Sequence, residues 1–282
     1  MKSIVTVVIV LVLWLIVAQS CLKLRTSDSK ALKEFDSARV QLTIKTIRVK
    51  ESVLHYVMTG NDTLQTIIFV HGSPGSWDAF KEYLKDKDLL SKYRMVSIDR
   101  PGFGYSDFGK AVNLQEESDI ISPLFSALKN NKPVYLVGHS LGGPMIVQLA
   151  ADNPNTISGL VILSGAIDVK LEQPEKWRHV IMQFPLKYLI PGSLRPSNKE
   201  LWYLKTDLIK LEPRFKEITC PVYILHGDKD PLVDYGNLAF GARAFINSSK
   251  IDTITIQGAN HFIPWQHYDI IKKVLLGLNG DK

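Results

Sequence analysis

With 282 residues, 45% hydrophobic and 22% charged, the chain is long enough to bury one large core and too ordinary in composition for a disordered or repeat protein. Its net charge of +6 comes from Lys and Arg interleaved with Asp and Glu, without a basic helix face or an aromatic-basic motif. That pattern excludes a nucleic-acid partner and reads as a solvated surface, with weak attraction to anionic membranes as the sharper alternative.

In chain order the first element is apolar. Met1-Lys2-Ser3 precedes Ile4 to Ala18, a fifteen-residue stretch interrupted only by Thr6. It is short for a spanning helix, which needs about 20 residues, and suits the apolar region of a secretory signal with Lys2 as its positive end. Ala18-Gln19-Ser20-Cys21 resembles a bacterial lipobox, which implies that Cys21 is lipidated and becomes the mature N-terminus. Two other readings stand beside it: Ala18-x-Ser20 fits an ordinary signal-peptidase site, and the segment lengthened to Leu24 fits an uncleaved anchor. The expected location is therefore membrane-anchored and extracytoplasmic, with secretion as the alternative. With Cys21 lipidated, Cys220 is left single and reads as a small buried hydrophobe just before a strand. Residues 22–38 are polar and charge-mixed and read as a spacer, leaving residues 39–282 as the folded domain.

From Val40 onward apolar runs alternate with helical patterns. Val40 to Val49 and Ser52 to Met58 alternate with period two and predict an opening antiparallel hairpin. Strands follow at Thr66 to Val70, Met95 to Asp99, Pro133 to Val137 and Leu160 to Leu163, separated by helices at Trp77 to Leu90, Leu114 to Lys129 and Leu141 to Asp152. This rhythm predicts an α/β fold, a mostly parallel sheet covered on both faces. It breaks at about residue 166. Residues 166–217 are rich in Pro, Trp, Tyr, Phe and Lys and show helical pieces around Trp177 to Tyr188 and Lys199 to Ile209, a candidate lid over the carboxyl ends of the strands. The rhythm then resumes with strand Val222 to His226, helix Tyr235 to Phe245, strand Ile251 to Ile256 and a closing helix from Trp265 to Leu278.

Ser140 stands where the strand Pro133 to Val137 turns into the helix that follows. Gly138-His139-Ser140-Leu141-Gly142 has the G-x-S-x-G pattern of a nucleophile elbow, in which small flanking residues let strand and helix cross closely and the serine is lifted to a helix N-terminus. Pro144 fits the first helical turn, where a missing N–H costs little. A serine hydroxyl is a poor nucleophile at neutral pH and needs a histidine to take its proton and a carboxylate to orient that histidine. Downstream strands end in His226-Gly227-Asp228-Lys229-Asp230 and in Gln257-Gly258-Ala259-Asn260-His261, on the same sheet edge as Ser140. Asp228, Asp230 and, more remotely, Asp168 are candidate carboxylates, and His261 is the candidate base.

Four motifs in order make the chain from about Val40 to Leu278 resemble an α/β-hydrolase of the HGxPG subgroup. They are His71-Gly72-Ser73-Pro74-Gly75, Asp99-Arg100-Pro101-Gly102-Phe103-Gly104, the elbow, and the Asp230 and His261 loops. The resemblance implies a serine hydrolase with Ser140 as nucleophile and His261 as base. Through the family's G-x-x-D pattern it implies Asp230 as the acid. It also implies an oxyanion hole made by the backbone N–H groups of Ser73 and Leu141. Epoxide hydrolases and haloalkane dehalogenases resemble this chain at HGxPG but use aspartate at the elbow, and the Gly-Gly-Ser-Trp-Gly elbow of proline iminopeptidases is absent. His71 and His139 read as packing and loop residues, His226 as a strand end, and Asp99 and Arg100 as structural ties of the loop that walls the pocket.

Trp177 and Trp265, with other aromatics of the insertion, are expected either to line an apolar pocket or to pack as core. No metal cluster or phosphate loop is visible, so neither metal nor cofactor is expected. The expected activity is cleavage of a carboxylic ester with a small or apolar acyl or aromatic group by a monomer or weak dimer. Amide or carbon–carbon cleavage on the same residues, or ligand binding without turnover, are the alternatives.

Overall fold

Eight strands form one sheet in the computed structural model, which describes residues 2–20 and 22–278. The chain enters through helix α1 (Lys2–Ser20) and helix α2 (Asp28–Ser37). The proposed lipidation site, Cys21, lies outside the described residues. Helix α2 corrects the reading of residues 22–38 as a spacer. Ala31 and Phe35, one turn apart, are buried, and Glu34 holds Lys81 at 3.0 Å and Lys85 at 2.7 Å. Two apolar residues on one face suffice to dock a helix whose other faces are polar.

Strands β1 (Thr43–Val49) and β2 (Ser52–Thr59) form the expected hairpin across Lys50 and Glu51. Strand β3 (Gln65–Val70) leads through a 3₁₀ turn at Trp77–Phe80 to helices α3 (Lys81–Lys85) and α4 (Lys87–Leu90), then to β4 (Tyr93–Ile98). The single helix expected over 77–90 is broken at Asp86, whose carboxylate accepts the N–H groups of Asp88 and Leu89 and starts a new helix. Helix α5 (Leu114–Ile121) likewise stops before Pro123, which lacks an N–H and opens the short α6 (Pro123–Ala127). Strand β5 (Val134–His139), helix α7 (Gly142–Asp152) and strand β6 (Ile157–Leu163) follow. The insertion then contributes α8 (Lys176–Ile181), a 3₁₀ turn at Leu186–Leu189 and the long α9 (Leu194–Leu211). Strand β7 (Val222–Gly227), α10 (Gly236–Ala244), β8 (Ile251–Ile256), α11 (Ile263–Gln266) and α12 (Tyr268–Leu276) complete the fold.

The strand order is β1-β2-β4-β3-β5-β6-β7-β8; β2 is antiparallel to both of its neighbours and every later pairing is parallel. Alternate residues of the central strands enter two apolar layers. Ile68, Val70, Leu136 and Ile162 pack with α7 on one face, whereas Ile67, Phe69, Val137 and Leu163 pack with α2 and α12 on the other. Both faces are covered, which is why these strands read as continuous apolar runs. The chain leaves β3 toward β4 on one side and returns to β5 on the other, so the sheet's topological switch point lies between β3 and β5. The crevice above it is where such sheets bind ligands. No helix among the described residues is long and apolar enough to cross a membrane.

Candidate active site

Ser140 sits at that crevice with φ +56°, a left-handed conformation that costs a non-glycine residue about 1–2 kcal/mol. It follows β5 directly, and its N–H is tied to the Leu163 carbonyl of β6 at 2.9 Å. The surrounding glycines are steric necessities. A Cβ on Gly138 would stand 2.2 Å from the Gly142 carbonyl oxygen, and one on Gly72 would stand 2.8 Å from the Cβ of Ser140. These contacts let the loop after β3 come down beside Ser140. Ser73 and Leu141 both line the cavity, and their N–H groups have no hydrogen-bond partner among the described residues. Leu141 stands at the N-terminus of α7, where the helix dipole adds to its N–H.

The loop after β8 brings His261 into the same cavity, and its Nδ1 lies 2.7 Å from Oδ2 of Asp230. The Asp230 side chain is fully buried. Burial alone raises the pKa of such a carboxyl. Hydrogen bonds from His226 and His261 and from the Val233 N–H outweigh it and hold Asp230 well below the usual carboxylate range, so it stays ionised. Asp228 instead accepts the Gly258 N–H at 2.6 Å, and Asp168 accepts the N–H of Lys170, so among the three candidates only Asp230 reaches His261. Ser140 Oγ donates no hydrogen bond among the described residues.

The other histidines frame the site. His71 points Nδ1 at the Gly72 carbonyl (2.7 Å), and its Nε2 accepts the Arg100 N–H (3.0 Å). Burial and the Arg100 charge push it down to about 3, so it is a neutral spacer of the β3 loop. His139 Nε2 donates to the His261 carbonyl at 3.0 Å, and its ring lies 4.7 Å from that of His261 and 5.2 Å from that of Trp265. Burial and the neighbouring His261 likewise push it to about 3. His226 lies at the end of β7, where its Nε2 donates to the Val233 carbonyl at 3.1 Å and also lies 3.3 Å from Asp230 Oδ2. That second neighbour of the carboxylate has no sequence signal beyond its position at a strand end.

A cavity of about 770 Å³ opens over Ser140, His261 and the two N–H groups. Trp265 lines it, with Nε1 anchored to the Ala79 carbonyl at 2.8 Å. Trp177 does not. Its indole is half exposed on the outer side of α8, bonded to Glu175 and covered by the Arg178 guanidinium, so the expectation that it lines the pocket is corrected. The residues of α8 and the segment before it that do line the cavity are Leu171, Glu172, Gln173, Glu175 and Arg178, and Arg178 is already paired with Glu175. Burial raises the pKa of Glu172. The pocket is more polar than its aromatic sequence suggests.

Arg100 holds the insertion to the sheet. Its guanidinium, fully buried, pairs with Glu117 of α5 at 2.8 Å and with Glu200 of α9, and its N–H holds the His71 ring. From α9, Ser197 accepts the Ser73 hydroxyl at 2.8 Å. The loop bearing Ser73 is therefore fastened to the insertion that covers it. Glu200 escaped sequence reading although a signal existed: it falls in register with Leu204, Leu208 and Leu211 on the buried stripe of α9, where a charge is out of place unless paired. Two buried carboxylates share one cation, and burial raises both; Glu117 is pushed up to about 7 from 4.5. A carboxyl whose folded pKa is raised keeps its proton longer in the native state, so its contribution lowers stability as pH climbs from about 4.5 to about 7. Urea unfolding at about pH 5 and about pH 8 is expected to show a larger loss of stability in the wild type than in Glu117→Gln. Equal losses would contradict the raised pKa of Glu117.

The sequence model of the α/β hydrolase fold matches residues 65–188. A 2-hydroxy-6-oxononadienedioate/2-hydroxy-6-oxononatrienedioate hydrolase from Dechloromonas aromatica is 30% identical over 280 residues, covering 83% of this chain and 94% of that protein. An epoxide hydrolase from Caenorhabditis elegans is 33% identical over 118 residues, which are 41% of this chain and only 28% of that protein's length. Among solved structures, the enol-lactonase from Burkholderia xenovorans superposes with a TM-score of 0.70 at 16% identity, over 84% of this chain and all of that one.

Proposed function

The chain belongs to the α/β-hydrolase fold family, and we propose that it is a serine hydrolase of that family, cleaving carboxylic esters through an acyl-enzyme on Ser140. The observation that carries this reading is a serine in a left-handed backbone conformation that lines one cavity with His261 and with Ser73 and Leu141, whose N–H groups are unpaired among the described residues. In the proposed cycle Ser140 Oγ attacks the ester carbonyl carbon while His261 Nε2 takes its proton. The oxyanion is held by the Ser73 and Leu141 N–H groups, donors of a kind each worth about 10²- to 10³-fold in rate. The alkoxide leaves with the proton from His261. Water then repeats the sequence on the acyl-enzyme, giving the acid and restoring Ser140.

The Dechloromonas relative favours a second reading, hydrolysis of a carbon–carbon bond in a dioate. The cavity speaks for the neutral ester instead: Glu172 and Glu175 face it with Arg178, which is already paired, so a second substrate carboxylate finds no available cation there. Likeness to epoxide hydrolases is set aside by the serine at position 140, where those enzymes use aspartate. We also propose that the chain is held at a membrane by its N-terminus on the extracytoplasmic side, supported by the apolar run Ile4 to Ala18.

Rapid mixing with p-nitrophenyl esters of rising acyl length tests the chemistry. A burst of p-nitrophenol approaching one equivalent per protein, followed by slower turnover, is expected when deacylation limits. Turnover of a 2-hydroxy-6-oxo dienoate with no ester cleavage would assign the carbon–carbon reading.

A further inference from the structure

Two stretches far apart in sequence have the same character. Residues 1–27 contain Lys2, Lys23 and Arg25 and no carboxylate, and residues 176–199 contain Lys176, Arg178, Lys187, Arg195 and Lys199 and no carboxylate. Both also expose apolar surface. Between Ile4 and Val17 every large apolar side chain except Leu15 is 44–69% exposed, on all sides of α1. In the insertion, Val180, Phe184, Leu186, Tyr188 and Leu189 are exposed, Phe184 by 79%.

The fold joins these stretches. Trp14 Nε1 donates to the Leu189 carbonyl at 3.1 Å, and the Gly192 N–H donates to the Ala18 carbonyl at 2.9 Å. Ser193 continues the contact, its hydroxyl donating to the Lys23 carbonyl at 2.6 Å. Leu11 and Leu15 share an apolar cleft with Pro185, Tyr188 and Leu189. The apolar surface of α1 therefore runs without interruption onto the tip of the lid. A helix apolar on every side does not stay in water, and whatever solvates it meets the lid tip as well.

We propose that α1 and the lid tip form one bilayer-inserting face, selective for anionic phospholipid, which places the active-site cavity against the membrane. With the segment retained, as in the uncleaved-anchor reading, the apolar run Ile4 to Ala18, rising about 22 Å as a helix, is buried in the ~30 Å hydrocarbon layer. Charge selects the occupant. A cavity of about 450 Å³ beside Tyr188 is lined by Lys187, Arg195 and Lys199 and by no carboxylate, matching lipid phosphates at headgroup depth. A second copy of the chain, laid on the same face by twofold symmetry, would oppose these cations with their own equivalents. Helix α8 then separates cavity from bilayer: Arg178 faces the cavity while Trp177 and Val180 are exposed outward. Resting on the ester reading, this assigns the substrate class as an acyl ester drawn from a membrane lipid.

The test uses the full chain with Cys21→Ser and Cys220→Ser, carrying an environment-sensitive fluorophore on Phe184→Cys or, as a control, on Ile246→Cys. Ile246 is 71% exposed and precedes β8, at the opposite end of the sheet. On phosphatidylcholine vesicles containing phosphatidylglycerol, the Phe184→Cys label is expected to shift to the blue, brighten severalfold and be quenched by acyl-brominated lipid, and less so without phosphatidylglycerol. The Ile246→Cys label stays unchanged. A Phe184→Cys label that remains water-like on chain bound to vesicles overturns the proposal, as does a label already buried without lipid in a dimer seen by light scattering. In parallel, Phe184→Ser is expected to lower severalfold the ratio of dioleoylglycerol hydrolysis in those vesicles to p-nitrophenyl acetate hydrolysis in solution. A lipid-buried label on a chain that cleaves neither ester refutes the ester reading and leaves the membrane face standing.

Discussion

Replacing Ser140 by alanine is expected to lower kcat on p-nitrophenyl esters by about 10⁶-fold, or about 8 kcal/mol of transition-state stabilisation. The variant should also lose labelling by a fluorophosphonate, which needs an activated hydroxyl. The loss is this large because the other serine hydroxyl lining the cavity, that of Ser73, is engaged in donating to Ser197. What remains, about 10³-fold over water, is the share of the oxyanion donors and of binding. Removing one hydroxyl from a residue whose neighbours are fixed by backbone contacts leaves stability within about 0.5 kcal/mol. Ser140→Gly separates chemistry from folding. It is equally inactive, yet relief of the φ +56° conformation offsets part of the entropy cost of a glycine. Circular dichroism melting and label incorporation, measured on the same samples, check both statements. Turnover in Ser140→Ala within tenfold of wild type would remove Ser140 from the reaction.

Asp230→Asn is the second large effect, a fall of about 10⁴-fold in kcat with the cavity intact. Asp230 Oδ2 accepts from Nδ1 of His261 and keeps that nitrogen protonated, so that Nε2 is the basic one. An asparagine can turn its NH₂ toward Nδ1, which then holds no proton, leaving Nε2 unable to take one. The variant also loses the charge that stabilises the imidazolium formed during attack. Asp228→Asn, whose carboxylate binds only the Gly258 N–H, is the matched control and is expected to stay within about threefold of wild type. A kcat comparison at several pH values decides between them. If Asp228→Asn is the more damaging, the carboxylate has been misassigned.

Much of the sheet was legible because its strands are buried on both faces and therefore appear as short apolar runs between helical patterns; every strand expected from Val40 to Ile256 is present within a few residues. Helix ends were less so. Whether residues 77–90 make one helix or three short pieces depends on Asp86 finding two N–H groups, a local competition that periodicity does not register. The same holds for residues 22–38, where burial of Ala31 and Phe35, the latter beside Trp77, is a long-range event.

The elbow pattern, the chain order of Ser140, Asp230 and His261, and the HGxPG loop are properties of the sequence itself, because tight turns demand glycine at fixed spacing and leave a readable record. Tertiary structure alone decided which carboxylate meets His261, that His226 lies 3.3 Å from that carboxylate, that Trp265 and not Trp177 reaches the cavity, and that Arg100 binds Glu117 and, 100 residues further along the chain, Glu200. Each of these depends on where a side chain ends after separate strands and helices have packed. The energy that places it comes from partners distant in sequence, and no local spacing encodes them.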